Sequence, residues 1–180
     1  GNSRFAGGVM RFAFASVEEL KQVVDLTDAE VAESDFGTNT TDEFFDDLFR
    51  LTQYKTDPEL SERLVTRSLD TMVWLRSKGV KFVPNYGRQS AVVNGRRRFF
   101  GRMPLEVSGG GSGLVQFLDR AAEKAGIDIH YNTRAKSLIM DGEKVVGINA
   151  SCQGESLRFT GRAVVLASEG KSFCAGALKP

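Results

Sequence analysis

The chain has 180 residues, 41% of them hydrophobic and 26% charged, enough for one domain with a real core and too apolar for a disordered segment. Its 24 basic and 23 acidic residues leave a formal net charge of +1, so no global field draws it toward nucleic acid or an anionic membrane. No apolar run approaches the roughly 20 residues of a membrane span and no basic-then-apolar leader opens the chain, so a soluble, cytoplasmic protein is expected. Cys152 and Cys174 are too few and too far apart for a disulfide framework or a zinc site, and His130 is the only histidine. No metal site is expected.

Taken in order, residues 1–11 (GNSRFAGGVMR) open the chain as a polar, glycine-rich stretch. Gly7 and Gly8 permit close backbone approach to a ligand, and Asn2 and Ser3 offer hydrogen-bonding side chains; a frayed terminus is the other reading. Ser16 with Glu19, Thr27 with Glu30, and Thr40 with Glu43 each match a capping box, which places helices near 17–24, 28–33 and 41–53. The intervening SDFGTNT reads as a loop. Asp57 as cap, Pro58 in the first turn and Gly79 at the end then bound one continuous helix, with Leu60, Leu64, Val65, Leu69, Met72 and Leu75 on its buried side. Residues 17–79 are thus mainly helical, and residues 80–84 form a short strand or extended exit.

Residues 80–107 read as a β-hairpin turning at Asn94-Gly95. Arg88, Arg96, Arg97, Arg98 and Arg102 crowd it with positive charge. Guanidinium groups bind carboxylate and phosphate in bidentate fashion, and Arg102, nearest in sequence to the glycines that follow, is singled out as an anion-binding candidate. A solvated, charge-protected hairpin edge is the alternative.

The most informative stretch is 108–133, SGGGSGLVQFLDRAAEKAGIDIHYNT. Gly109, Gly110, Gly111 and Gly113 lead straight into an amphipathic helix, and a glycine turn at a helix N-terminus suits a phosphate or carboxylate. Tight packing of that helix onto a sheet accounts for the same glycines. Ile127, Ile129 and Tyr131 alternate with polar residues in the manner of a half-buried strand. Residues 135–161 follow as an antiparallel meander of two or three strands turning at Asp141-Gly142-Glu143. RAVVLAS (162–168) has the look of a strand buried on both faces, and residues 169–180 form an irregular tail. The fold class is therefore α/β, α+β in detail.

GNSRFAGG, the DPELSERLVTRSLDTMVWLRSKGVKF segment, SGGGSGLVQFL, IDIHYNTRAKSLIMDGEKVVGI and AVVLAS occur in an order that resembles the FAD-dependent fumarate reductase/succinate dehydrogenase flavoprotein superfamily, and within it the tricarballylate dehydrogenase type. The resemblance runs to about Ser168; relatives continue differently where this chain has Glu169, Gly170 and Lys171. It implies part of a Rossmann-like FAD-binding domain over 1–180, with the meander and a helical insertion, the dinucleotide fingerprint and the cap domain being absent. It further implies that Gly1, Asn2, Ser3, Gly7 and Gly8 line the cofactor. Thr133, Arg134 and Ala135 would approach the adenine, and Ala167 and Ser168 would end a strand beside FAD. The ligand reading of the 109–113 glycines is strengthened, so Gly109, Gly110 and Gly111 join Arg102, singled out above by its charge, as substrate-binding candidates.

The parent reaction implied is dehydrogenation or reduction at a carbon–carbon bond of a small polycarboxylate, tricarballylate- or fumarate-like, with a separate redox partner. A flavoprotein of the precorrin-3B synthase type, or a truncated module without catalysis, are the alternatives. No residue of this chain receives a catalytic role. For the chain alone, weak or absent FAD binding and self-association through uncovered sheet edges are expected.

Overall fold

A computed structural model describes residues 2–167. It divides into two units, one running to Ile127 and the other beginning at Asp128.

The first unit opens with a short 3-10 helix, Asn2–Phe5, where no regular element was expected. Helices α1 (Val17–Lys21), α2 (Asp28–Glu33) and α3 (Thr41–Leu51) begin where their caps predict. Thr27 with Glu30 and Thr40 with Glu43 form complete capping boxes, satisfying reciprocal backbone donors that the first helical turn otherwise leaves open. At α1 the pattern slips by one: the Ser16 hydroxyl accepts from the Glu19 N–H, but the Glu19 carboxylate takes the Ala15 N–H at 2.6 Å. α1 is shorter than expected, because Leu20, Val23 and Val24 all turn inward as the chain leaves the helix.

The single helix predicted over 58–78 is two, α4 (Pro58–Thr66) and α5 (Ser68–Ser77). The break falls at Arg67, whose ψ of 2° leaves the helical well. Ser68 explains it. Its hydroxyl donates to the Val65 carbonyl at 2.7 Å and accepts the Ala13 N–H at 2.8 Å, which ties the break to a distant strand-like segment. The apolar stripe splits accordingly: Val65, Met72 and Leu75 are buried, while Leu60 and Leu64 face solvent.

The SDFGTNT stretch is not merely a loop. Ser34–Asp35 forms β1, parallel to β4 (Arg96–Phe99), which pairs in turn with antiparallel β3 (Ser90–Val93). The β3–β4 turn is the predicted one, with φ of 51° at Asn94 and 79° at Gly95. Just outside this hairpin, β2 (Phe82–Pro84) pairs antiparallel with β5 (Leu105–Val107), so residues 80–107 contain two nested ladders. Helix α6 (Gly110–Lys124) follows β5 directly. Phe12, Phe14, Leu20, Phe36, Met72, Phe82, Phe99 and Leu105 make the core, with Leu114, Phe117 and Leu118 of α6 half-buried against it.

The second unit holds the predicted meander: β6 (Thr133–Asp141), β7 (Lys144–Cys152) and β8 (Glu155–Thr160), all antiparallel. Gly147 lets β8 close on β7, since a Cβ there would fall on the Phe159 carbonyl.

Two expected strands are absent. Residues 127–131 form none, and Ile127 and Tyr131 are 59% and 65% exposed. Residues 163–167 form none either, with Val165 at 86%. In both places an apolar pattern has no neighbouring strand among the described residues to supply ladder bonds or cover, and propensity alone does not make a strand. The expected tail at 169–180 lies outside the described residues.

Candidate functional site

The glycine turn is where the ends of the first unit's sequence meet. Residues 6–9 thread between β5 and α6: the Val107 N–H donates to the Gly8 carbonyl at 2.9 Å, and the Gly111 N–H donates to the Ala6 carbonyl at 2.8 Å. Gly109 caps α6 with φ of 79°, a conformation costly for any residue with a Cβ. The inward glycines serve close packing. A Cβ on Gly8 would lie 2.6 Å from the Gly110 Cα, and one on Gly111 would collide with the Ser3 and Ala6 backbone.

The outward side of the same segment is open. Asn2, Ser3 and Gly7 are exposed, and an open cavity of about 530 Å³ lies between Arg4, Ala6, Gly7, Gly87, Arg88, Glu106 and the 109–111 turn. Arg88 packs onto Gly7, where a Cβ would fall on its Nη1. Arg4 also borders the cavity, with Asp119 3.9 Å from its guanidinium.

Arg102, singled out from the sequence, stands elsewhere. Its guanidinium donates to the Glu43 carbonyl at 3.1 Å and lies 3.3 Å from the Glu43 carboxylate and 3.4 Å from Asp47. Those acids hold a residue whose φ is 57°, in the left-handed region. The arginine beside the glycines is Arg88 instead, because Pro84 pairs with Leu105 and so carries residues 85–88 back to the turn.

Thr133, Arg134 and Ala135 begin β6 in the second unit, opposite Cys152, Ser151 and Ala150, with the Thr133 hydroxyl donating to the Tyr131 carbonyl at 3.0 Å. Ala167 is exposed; Gly1 and Ser168 lie outside the described residues. His130 meets Phe159 edge-on at 4.8 Å, a packing role. No cluster of metal-ligating side chains occurs among the described residues. No helix among them is long and apolar enough to cross a membrane.

Two buried polar groups escaped sequence reasoning. Asn39 is fully buried and fully used, donating to the Phe12 carbonyl at 2.7 Å and accepting from Arg11 at 3.0 Å. Asn85 is equally buried, yet neither side-chain polar atom has a partner among the described residues. Leaving such groups unpaired costs about 1–3 kcal/mol, so Asn85→Leu is expected to match or exceed the native melting temperature. Thermal denaturation followed by circular dichroism checks this, and a large fall would mean that the amide is satisfied in solution.

Asp47 is the centre of the acid–base network on α3. Hydrogen bonds from Arg50 and then Arg11 lower its pKa from 3.8 to about 2. The charged form is favoured on folding, so this stabilisation is complete above the unfolded pKa and is lost as pH falls from about 4 toward about 2. With Arg50 exposed, solvent screening leaves about 1 kcal/mol. Urea denaturation of native protein and Asp47→Asn across that range is expected to show the gap between them closing at the acid end.

A glycine turn opening a helix beside a cavity bordered by Arg4 and Arg88 is a geometry suited to an anionic ligand. The family described as FAD binding domain matches residues 2–179, and the chain belongs to it. The fumarate reductase (cytochrome) of Shewanella frigidimarina is 26% identical over 146 residues, 81% of this chain and 22% of that protein. The corresponding protein of a named strain of that species matches at 26% as well, over 21% of its length. The chain thus spans about a fifth of these curated relatives. Among solved structures, 3-ketosteroid-delta4-(5alpha)-dehydrogenase from Rhodococcus jostii, in complex with 4-androstene-3,17-dione, superposes with a TM-score of 0.62 at 19% identity. That match covers 90% of this chain and 36% of the other and establishes a shared fold.

FAD is the cofactor of this family. The residues present fit it in one respect: the inward face of residues 3–8 is packed on α6, while Ala6 and Gly7 present backbone to the cavity with little side-chain bulk.

Proposed function

We propose that this chain is the cofactor-facing part of an FAD-dependent oxidoreductase that acts at a carbon–carbon bond of a small polycarboxylate, tricarballylate- or fumarate-like. The observation that carries this reading is the cavity itself. The backbone of residues 6–7 and the 109–111 turn border it together with Arg88, so a cofactor-side wall and a cationic wall share one space. The fumarate reductase similarity supports a carboxylate substrate.

FAD, when bound, supplies the hydride acceptor or donor. In this reading Asn2, Ser3 and Gly7 hold it through short polar side chains and backbone groups, while the buried Gly8 lets that segment pack closely on the 109–111 turn. A separate redox partner closes the cycle.

The test is FAD fluorescence titrated with the purified chain, beside its visible absorbance. Weak but saturable quenching, reduced by Gly7→Val, is the expected result. Fluorescence indifferent to the protein at all concentrations would overturn the reading. Turnover of tricarballylate or fumarate by this chain alone is not expected, since this reading assigns no described residue the transfer of the substrate's proton.

A further inference from the structure

We propose that Arg88 is the oxyanion anchor of the cavity beside the glycine turn, gripping one carboxylate of a small polycarboxylate through its guanidinium fork. The inference rests on the proposed function for the identity of the ligand, and on the following geometry for the residue.

Five arginines fall between residues 85 and 107, and the structure gives four of them work inside the fold. Arg96 donates to the Ser34 carbonyl at 2.9 Å, and Arg97 donates to the Ser90 hydroxyl at 3.1 Å while lying over the Tyr86 ring. Arg98 pairs with Asp35 at 3.6 Å, and Arg102 with Glu43 and Asp47. Of the five, Arg88 alone has no hydrogen-bond or ion-pair partner among the described residues.

It is nonetheless held. Its guanidinium lies on Gly7, which has no Cβ to displace it. The turn that carries it is braced: the Asn85 N–H donates to the Pro104 carbonyl at 2.7 Å, and the Tyr86 hydroxyl donates to Glu30 at 2.9 Å. A positioned but unpaired guanidinium facing an open cavity of about 530 Å³ suits a planar oxyanion, which takes two parallel hydrogen bonds from the fork. The α6 N-terminus adds to the favourable potential without carrying the argument. Glu106 borders the same cavity and repels a second carboxylate of the ligand, which is left pointing toward the open side.

The same chemistry is offered by a substrate carboxylate and by the cofactor's pyrophosphate, and the experiment separates them. Melting temperatures of the full chain are measured with citrate and with inorganic pyrophosphate, at constant ionic strength, for native protein, Arg88→Gln, Arg88→Lys and Arg96→Gln. Saturating citrate is expected to raise the native melting point by about 5 °C. Arg88→Gln loses that shift, Arg88→Lys keeps part of it as a point charge, and Arg96→Gln keeps all of it. A shift with pyrophosphate alone that depends on Arg88 and is abolished by FAD overturns the carboxylate assignment and gives the Arg88 oxyanion to the cofactor. An equal shift in native protein and Arg88→Gln, or no shift with either anion, overturns the inference. FAD quenching by the same proteins keeps the two readings apart: FAD bound normally with no Arg88-dependent shift defeats only this inference.

Discussion

Gly111→Ala is expected to destabilise the first unit by about 3 kcal/mol, a fall in melting temperature of roughly 10 °C. Two effects oppose each other. Alanine is the better helix former, by at most about 1 kcal/mol at a helical position. Against that, its Cβ would fall on the Ser3 carbonyl oxygen and lie 2.7 Å from the Ala6 oxygen and 2.9 Å from the Ala6 nitrogen. All three are backbone atoms, and the Ala6 carbonyl is already tied to the Gly111 N–H, so no side chain can swing aside. Overpacking therefore wins. Gly87 is the control, since a Cβ there meets nothing within 4 Å and its φ is not left-handed. Gly87→Ala is expected within about 0.5 kcal/mol of native, on the stabilising side if anything. Calorimetric scans of both variants decide it; equal melting points would mean that residues 2–6 do not rest on α6 in solution.

Asn39→Ala is expected to cost about 3 kcal/mol, as much as a large core truncation. The side chain bridges two segments far apart in sequence, holding the Phe12 carbonyl with its amide and Arg11 with its oxygen. The backbone of Asn39 meanwhile exchanges two hydrogen bonds with Phe14, each of 2.9 Å. Truncation leaves the Phe12 carbonyl without its donor and opens a void between Phe12 and the start of α3. Asn39→Asp is the informative partner. It keeps an acceptor for Arg11 but turns an oxygen toward the Phe12 carbonyl, so it is expected to be no more stable than the alanine variant. An aspartate variant near native stability would show that the Arg11 contact alone matters. Chemical denaturation with urea gives both values.

What could be read in advance, and what could not, follows from the range of the forces involved. Capping boxes, Asp57 with Pro58, and Asn94-Gly95 act over three or four residues, and the structure starts or turns the chain at each of them. The break at Arg67 was invisible because its cause, the Ala13 N–H, lies 55 residues from Ser68. Alternation at 127–131 and the apolar run at 163–167 promised strands, but a strand requires a neighbour, and its pattern is silent about whether one is present. The candidate site divides in the same way. Glycines 109–111 announced a close approach, and the approach is there, made by residues 3–8. Sequence distance favoured Arg102 as the cation beside them; the β2–β5 ladder delivers Arg88. The buried amides of Asn39 and Asn85 had no local signal at all, since asparagine in a turn-rich stretch ordinarily faces water.

The meander has a consequence for the order in which the chain acquires structure. Each of its strands pairs with the next in sequence across a two-residue turn, Gly142-Glu143 and then Gln153-Gly154. Such hairpins close on a timescale of about 1–10 μs, with little loop entropy to overcome. The core of the first unit must instead bring Phe12 and Phe14 to Leu105 and Val107, across most of that unit's length, before burial repays the search. On refolding of the complete chain the meander is therefore expected to find its register first, and the glycine turn, dependent on the longest closure, to be completed last.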